Sequence, residues 1–302
     1  MTRAHLSATL PSFQFAWDST SLGSLKTCPR KYQYVMLENW RPKNTSYHLT
    51  FGIWFHKGPE IYDKLRAGGL GHEDALRTAL REVMEGTEGW ESGDPKKNRE
   101  NLLRTIVWYL DQYEHDPVST YLLPNGAPAV ELSFRFYPNI EVAGEQILLC
   151  GHLDKVGVID DRLYVMDKKT TGSAMGEYFF HQFNPNSQMS LYTIAGKVVL
   201  EKPISGVIID GAQIGATFSR FGRGFTHRTS VQSAEWLRDL EFHIGTAARC
   251  AKEGYWPQND AACGMYGGCD FREICGKDPA VREAFLSSSF ERVEWNPLES
   301  RE

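Results

Sequence analysis

The stretch from Ile147 to Thr171, ILLCGHLDKVGVIDDRLYVMDKKTT, decides the fold. Ile147 to Ile159 is rich in apolar and β-branched residues, and Arg162 to Met166 resumes that character after Asp160-Asp161, a pair suited to a tight turn. The stretch therefore predicts a β-hairpin. Gly151-His152-Leu153-Asp154 falls on its first strand and Asp167-Lys168-Lys169-Thr170-Thr171 on its second. Two carboxylates on adjacent strands can converge on one hard cation. Asp154 and Asp167 offer the oxygen ligands that Mg²⁺ or Mn²⁺ prefers, with the remaining positions left to water and a substrate phosphate. Because strand side chains alternate, Asp167 and Lys169 project to one face, where the ammonium can steady a metal-activated hydroxide and the charge building on phosphorus. Asp-x-Lys alone is common among turn and surface charges. It gains weight from the Gly-x-x-Asp across the hairpin and from the helix that follows.

Outward from the hairpin, Val130 to Phe136 alternates as a strand, Ser187 to Leu200 has helical spacing with Asn186 or Ser187 as its cap, and Ile204 to Ile209 reads as a buried strand. A further strand near Phe225 to Val231 and a helix from Ser233 to Glu253 complete this core. The N-terminal third is helical. Two short helices in Ser19 to Trp40 meet at Cys28-Pro29, Phe51 to Leu65 is a helix bent or restarted at Pro59, and Glu73 to Glu85 and Arg99 to Glu114 are amphipathic helices. The pattern is α/β. It divides one domain over residues 1–302 into a helical region 17–115, a core 130–254 and a cysteine-rich segment 255–276.

At 302 residues, 41% hydrophobic and 24% charged, the chain has the composition of a globular protein with a sizeable core. No apolar run suits a membrane span, and Met1 to Leu10 lacks the pattern of a secretory leader, so the expected location is cytoplasmic. The net charge of −5 means that a polyanion would be met by a local basic surface. Lys26, Arg30 and Lys31 offer one such surface, and the Ser219 to Phe225 stretch, read as a loop mixing arginines with aromatics, another. Six cysteines are present, and Cys263, Cys269 and Cys275 follow one another with five residues between each, among glycines. In a reducing compartment such a group points to a metal centre. Cys150 and Cys250, in a predicted strand and helix, read as small buried hydrophobes.

From Trp17 to Cys275 the chain resembles the PD-(D/E)XK nuclease superfamily, in the branch of RecB-type nuclease domains and CRISPR-associated iron-sulfur exonucleases. The resemblance implies a restriction-endonuclease-like core, a mixed sheet flanked by helices, and hydrolysis of DNA phosphodiester bonds from an end. Asp154, Asp167 and Lys169 match its central motif, with Leu153 in place of the superfamily's proline. Gly52-Ile53-Trp54-Phe55-His56 matches a motif that makes His56 a metal ligand. Glu131 matches a glutamate that orients a metal water or the lysine, and Gln188 and Tyr192 match a helical pair that assists at the strand or the lysine. Ordinary readings stand beside each: His56 packed on a helix, Glu131 as a strand-edge charge, Gln188 and Tyr192 as helix packing. The resemblance also implies that Cys28, in Cys28-Pro29-Arg30-Lys31-Tyr32, joins Cys263, Cys269 and Cys275 around a [4Fe-4S] cluster that staples the chain ends. Many relatives place two residues where this chain has five between the second and third cysteines, so a Cys₄ zinc site and unligated cysteines remain open.

Two other functions fit the same residues: a catalytically silent DNA-binding or scaffolding module of a larger assembly, and a structure-specific endonuclease. The chain has no Gly-x-x-x-x-Gly-Lys-Ser/Thr, so any helicase, recombinase or CRISPR-adaptation function in recombination or repair belongs to a partner. That fits a stand-alone or partner-dependent nuclease of the kind bacterial viruses encode.

Overall fold

The computed structural model describes residues 5–44 and 46–299, so the first four residues of the Met1 to Leu10 stretch lie outside it. In chain order the strands are β1 (Ala16–Trp17), β2 (Trp40–Pro42), β3 (Ser119–Thr120), β4 (Val130–Phe136), β5 (Glu141–Val142), β6 (Glu145–Gln146), β7 (Leu148–Ile159), β8 (Arg162–Thr171), β9 (Ile204–Ile214), β10 (Ser219–Thr226) and β11 (Phe290–Arg292). The helices are α1 (Ser19–Thr27), α2 (Pro29–Tyr32), α3 (Tyr47–Ala67), α4 (His72–Gly86), α5 (Arg99–Gln112), α6 (Glu177–His181), α7 (Ser187–Leu200), α8 (Ser230–Glu253), α9 (Arg272–Cys275) and α10 (Arg282–Ser289). They form two compact units. The hairpin unit comprises residues 45–133 and 152–229; the terminal unit comprises 1–44, 134–151 and 230–302.

In the hairpin unit β7 and β8 pair antiparallel from Lys155↔Met166 to Ile159↔Arg162. Asp160 and Asp161 close the turn with φ of 47° and 60°, the left-handed pair that lets a two-residue hairpin follow the strand twist. Parallel pairing of β8 with β9 and antiparallel pairing of β9 with β10 extend a mixed sheet. Alternation along β9 assigns its faces. Ala212 and Ile214 join Phe51, Phe55, Leu102 and Ile106 in the apolar core made with α3, α4 and α5. On the opposite face α7 lies close, because Gly196 leaves no side chain: a Cβ there would stand 3.0 Å from both Val165 and Ile204. Asn186 caps α7, its side chain accepting from the amides of Gln188 and Met189.

Two expectations need correction. Pro59 neither bends nor restarts its helix, for α3 runs unbroken over 21 residues. Pro59 is buried in a helix whose Phe51, Phe55 and Tyr62 join the core made with α4 and α5, and that packing offsets the missing amide hydrogen bond. The Ser219 to Phe225 stretch is the strand β10, not a loop, and the strand expected at Phe225 to Val231 ends at Thr226, with Val231 inside α8. Its arginines hid the pattern, yet Arg223 is held in place by Asp116, whose two carboxylate oxygens accept from its terminal nitrogens at 2.6 Å.

In the terminal unit α1 starts at a capping box, Asp18 accepting from the Ser21 amide while Ser21 serves the Asp18 amide. Pro29 at the first turn begins α2, which continues into a π-helical turn at Gln33–Leu37. Trp17 stacks on Tyr32, and Tyr32 packs on Trp256, fastening the N-terminal segment to the chain beyond α8. A second aromatic group, Tyr34, Phe271 and Phe290, is where β2 pairs with β11. Cys150 and Cys250 are buried as expected, and burial raises the Cys150 thiol to about 12. Among the described residues no helix is long and apolar enough to cross a membrane.

Candidate active site and cysteine group

The β7–β8 ladder stops at Lys155↔Met166. One step further the amide of Lys168 donates to the Asp154 carboxylate Oδ2 at 3.0 Å, so a side chain stands where a strand carbonyl would have been. The same oxygen lies 3.1 Å from His56 Nδ1, brought by α3. Asp167, 1% exposed, turns Oδ2 toward the Lys169 ammonium at 2.6 Å, and that shielded oxygen has no hydrogen bond of regular geometry. Asp154, Asp167, Lys169 and His56 are therefore brought together where the ladder ends.

Charge in this cluster is tightly coupled. Burial raises the Asp167 carboxyl, aided by the Asp154 charge and opposed by Lys169, with a net upward shift. Burial also disfavours the Asp154 carboxylate, but His56, Lys168 and Lys169 outweigh it and hold that group well below the carboxylate range. For His56 burial pulls downward, while the charge and hydrogen bond of Asp154 prevail and raise the imidazole.

Glu131 lies on β4 with a φ of 53°, left-handed and unusual for a strand, and its charge acts on Lys168. Gln188 and Tyr192, one helical turn apart, are joined by a hydrogen bond of 3.0 Å from the amide to the phenol oxygen. Both therefore stand in register on α7, with Tyr192 buried.

Sequence reasoning missed a buried ionic group behind the motif. Alternation sends Lys168 to the face opposite Asp167 and Lys169, the face covered by α3 and α5. There Lys168, 2% exposed, stands 3.9 Å from Asp63, and Lys155 donates to Asp63 at 2.8 Å. Burial lowers the Lys168 ammonium, but Asp63, Asp154, Asp210 and Glu131 together outweigh it and raise it. Asp210 accepts a short hydrogen bond from the Tyr109 hydroxyl and lies 3.4 Å from Arg223 Nε. One signal was available: Asp63 follows His56 by seven residues, two helical turns on one face of α3.

In the terminal unit, Cys28 sits between α1 and α2, and its sulfur accepts from the Asn259 amide at 3.3 Å. Cys263 Sγ donates to the Asn259 carbonyl at 3.8 Å, and the Cys263 carbonyl accepts from the Cys269 amide at 3.1 Å. Burial raises the Cys275 thiol, Arg30 lowers it, and Cys28 and Cys269 raise it further, so these sulfurs lie within electrostatic reach of one another. Cys28, Cys269 and Cys275 thus lie near one another, and Cys263 is tied to Cys28 only through Asn259. Among the described residues, however, no three His, Cys, Asp or Glu side chains form a ready-made metal cage, so the iron-sulfur staple is not shown.

The sequence pattern of the PD-(D/E)XK nuclease superfamily matches residues 17–276. The chain belongs to the PD-(D/E)XK nuclease superfamily. Its mixed sheet flanked by helices fits the restriction-endonuclease-like core of that superfamily. Among solved structures it is similar to a protein from Eubacterium rectale named as a candidate exonuclease, with a TM-score of 0.54 and 12% identity over 89% of this chain and 92% of that one. It also aligns with SSO0001 at a TM-score of 0.38 and 12% identity, over 87% of this chain and 86% of the other. At such identities the first likeness is one of fold. No curated protein matches the sequence.

Proposed function

We propose that this PD-(D/E)XK nuclease is a Mg²⁺- or Mn²⁺-dependent deoxyribonuclease that hydrolyses phosphodiester bonds from a DNA end. The observation that carries the reading is the meeting of Asp154, Asp167, Lys169 and His56 where the β7–β8 ladder ends. Two carboxylates and an imidazole are the donor set of a hard divalent cation, and the shielded Asp167 oxygen without a regular hydrogen bond is suited to a ligand's place. Bound there, the metal would supply Lewis-acid stabilisation of the phosphate and an acidified water. Asp154, Asp167 and His56 would hold it.

The chain's own contributions follow from position. Lys169, anchored by Asp167, presents a fixed positive charge to the phosphate oxygens as charge gathers on them. The buried Lys168 offsets the repulsion among Asp154, Asp63, Asp210 and Glu131 and lets the carboxylates stay ionised together. Glu131 and the Gln188–Tyr192 pair would orient water and strand. End-directed action is supported by the resemblance to iron-sulfur exonucleases and by the name of the Eubacterium rectale neighbour. Processing in recombination, repair or CRISPR-adaptation, alongside a helicase or recombinase, is the setting this proposal implies.

For the cysteine group, the links from Cys28 through Asn259 to Cys263, and among Cys28, Cys269 and Cys275, support a [4Fe-4S] cluster as a structural staple, with zinc as its rival. The test of end-directed hydrolysis compares linear DNA with a covalently closed circle of the same sequence, each with Mn²⁺. Release of nucleotides from the linear form alone is expected. Equal cutting of the circle would replace the exonuclease by an endonuclease.

A further inference from the structure

The terminal unit contains an open cleft of about 410 Å³ to which the nuclease reading assigns nothing. Three arginines line it, Arg30, Arg282 and Arg292, together with Trp40 and Tyr255. Each guanidinium is held by main-chain carbonyls. Arg30 Nε donates to the Trp256 carbonyl at 2.6 Å, Arg282 donates to the carbonyls of Lys277 and Cys275 at 3.0 Å each, and Arg292 donates to the Glu38 carbonyl at 2.6 Å. Carbonyls orient a guanidinium without cancelling its charge, and each of these takes only one or two of its five N–H groups. Among the described residues the hydrogen bonds of all three go to carbonyls and none to a carboxylate. Glu38 and Glu283 also line the cleft, so three guanidinium groups stand beside two carboxylates; both Glu38 oxygens are already turned to neutral donors, one to Gln33 at 2.8 Å and the other to the Trp40 indole at 3.1 Å.

The aromatic rings complete the pattern. Arg292 lies 4.0 Å over the Trp40 ring, and Arg30 lies 5.7 Å over that of Tyr255. Trp40 is buried, whereas Tyr255 is 59% exposed and offers its ring to a ligand. Oriented guanidinium groups beside an exposed aromatic ring suit a phosphodiester strand whose bases are free to stack. The volume lies in the range of a small-ligand site, roughly 300–1,000 Å³, which suits a nucleotide or two of single strand.

We propose that this cleft holds single-stranded DNA, its phosphates on Arg30, Arg282 and Arg292 and a base on Tyr255, as a strand-holding site on a different unit from Asp154 and Asp167. The inference rests on the nuclease reading for the identity of its ligand. Because Arg282 holds the Cys275 carbonyl, the cysteine segment also forms part of the support for the cleft.

The test is fluorescence anisotropy of labelled oligothymidylate with the full chain in EDTA, where hydrolysis cannot intervene. The parent is compared with Tyr255→Ala/Arg292→Gln, both at exposed positions, and with Tyr255→Phe. Loss of one stacked base and one phosphate contact should weaken single-strand binding by about tenfold or more and reduce the steepness of the salt dependence by about 0.7. Tyr255→Phe should bind like the parent, which separates stacking from folding. Unchanged affinity and salt dependence in the double variant, or a parent that does not bind single strands, would overturn the proposal. A parent that binds in this variant-sensitive way yet never cuts DNA would leave the cleft standing and remove the nuclease reading instead.

Discussion

His56 and Asp154 stabilise one another only while the imidazole is protonated and the carboxylate is not. The His56 pKa is raised, so its contribution is complete below the unfolded histidine value of about 6.5 and fades as pH rises through the higher folded value. Asp154 is lowered, so its contribution is complete above about 3.9 and fades as pH falls through the folded value. In the metal-free protein the pair is thus most stabilising between those limits. A divalent cation needs the neutral ring and competes with that proton. We expect the His56 ring resonances to titrate above the ordinary histidine value in EDTA and at lower pH with saturating Mg²⁺. A His56 titration indifferent to Mg²⁺ would exclude it from the metal site.

At the scale of elements, the site depends on where two strands part and on what lets β7 reach that point. Gly151 has a φ of 150°, and a Cβ there would stand 2.9 Å from Phe134 Cζ. Gly151→Ala should therefore lower stability by about 1–3 kcal/mol, read from urea unfolding, with part of the loss recovered in a Phe134→Leu background. An unchanged midpoint would show that the backbone can relax. The hairpin, α7 and their turn residues were legible in the sequence, because Asp160-Asp161 and Asn186 act within a few residues of themselves. The unbroken α3 and the arginine-bearing β10 were not, because α3 is buried against α4 and α5 and Arg223 is paired by Asp116, neighbours that only the folded chain supplies. The same holds within the site. Asp154, Asp167 and Lys169 could be read from one hairpin, whereas Lys168 meets Asp63 and Asp210 only once α3 and β9 are in place.

Taken together, the terminal unit collects chain from both ends and from residues 134–151, and brings Cys28 into the same unit as Cys263, Cys269 and Cys275. A cluster there would close a loop over most of the chain. Protein purified without oxygen should be brown and carry about four iron atoms per chain; one zinc per chain in such a preparation would replace that assignment. Hydrolysis at Asp154, Asp167 and Lys169 is read from the release of nucleotides from linear single- and double-stranded DNA with Mg²⁺ or Mn²⁺ by the parent and by Lys169→Ala. Removal of Lys169 leaves the buried Asp167 without its ion-pair partner, so the variant is first checked for a folded state by urea unfolding; its cleavage rate should then fall by roughly 10²-fold or more. Cleavage by the parent and not by the variant is the predicted result. Equal cleavage by both, or none by a parent that binds the metal, would remove hydrolysis from this site.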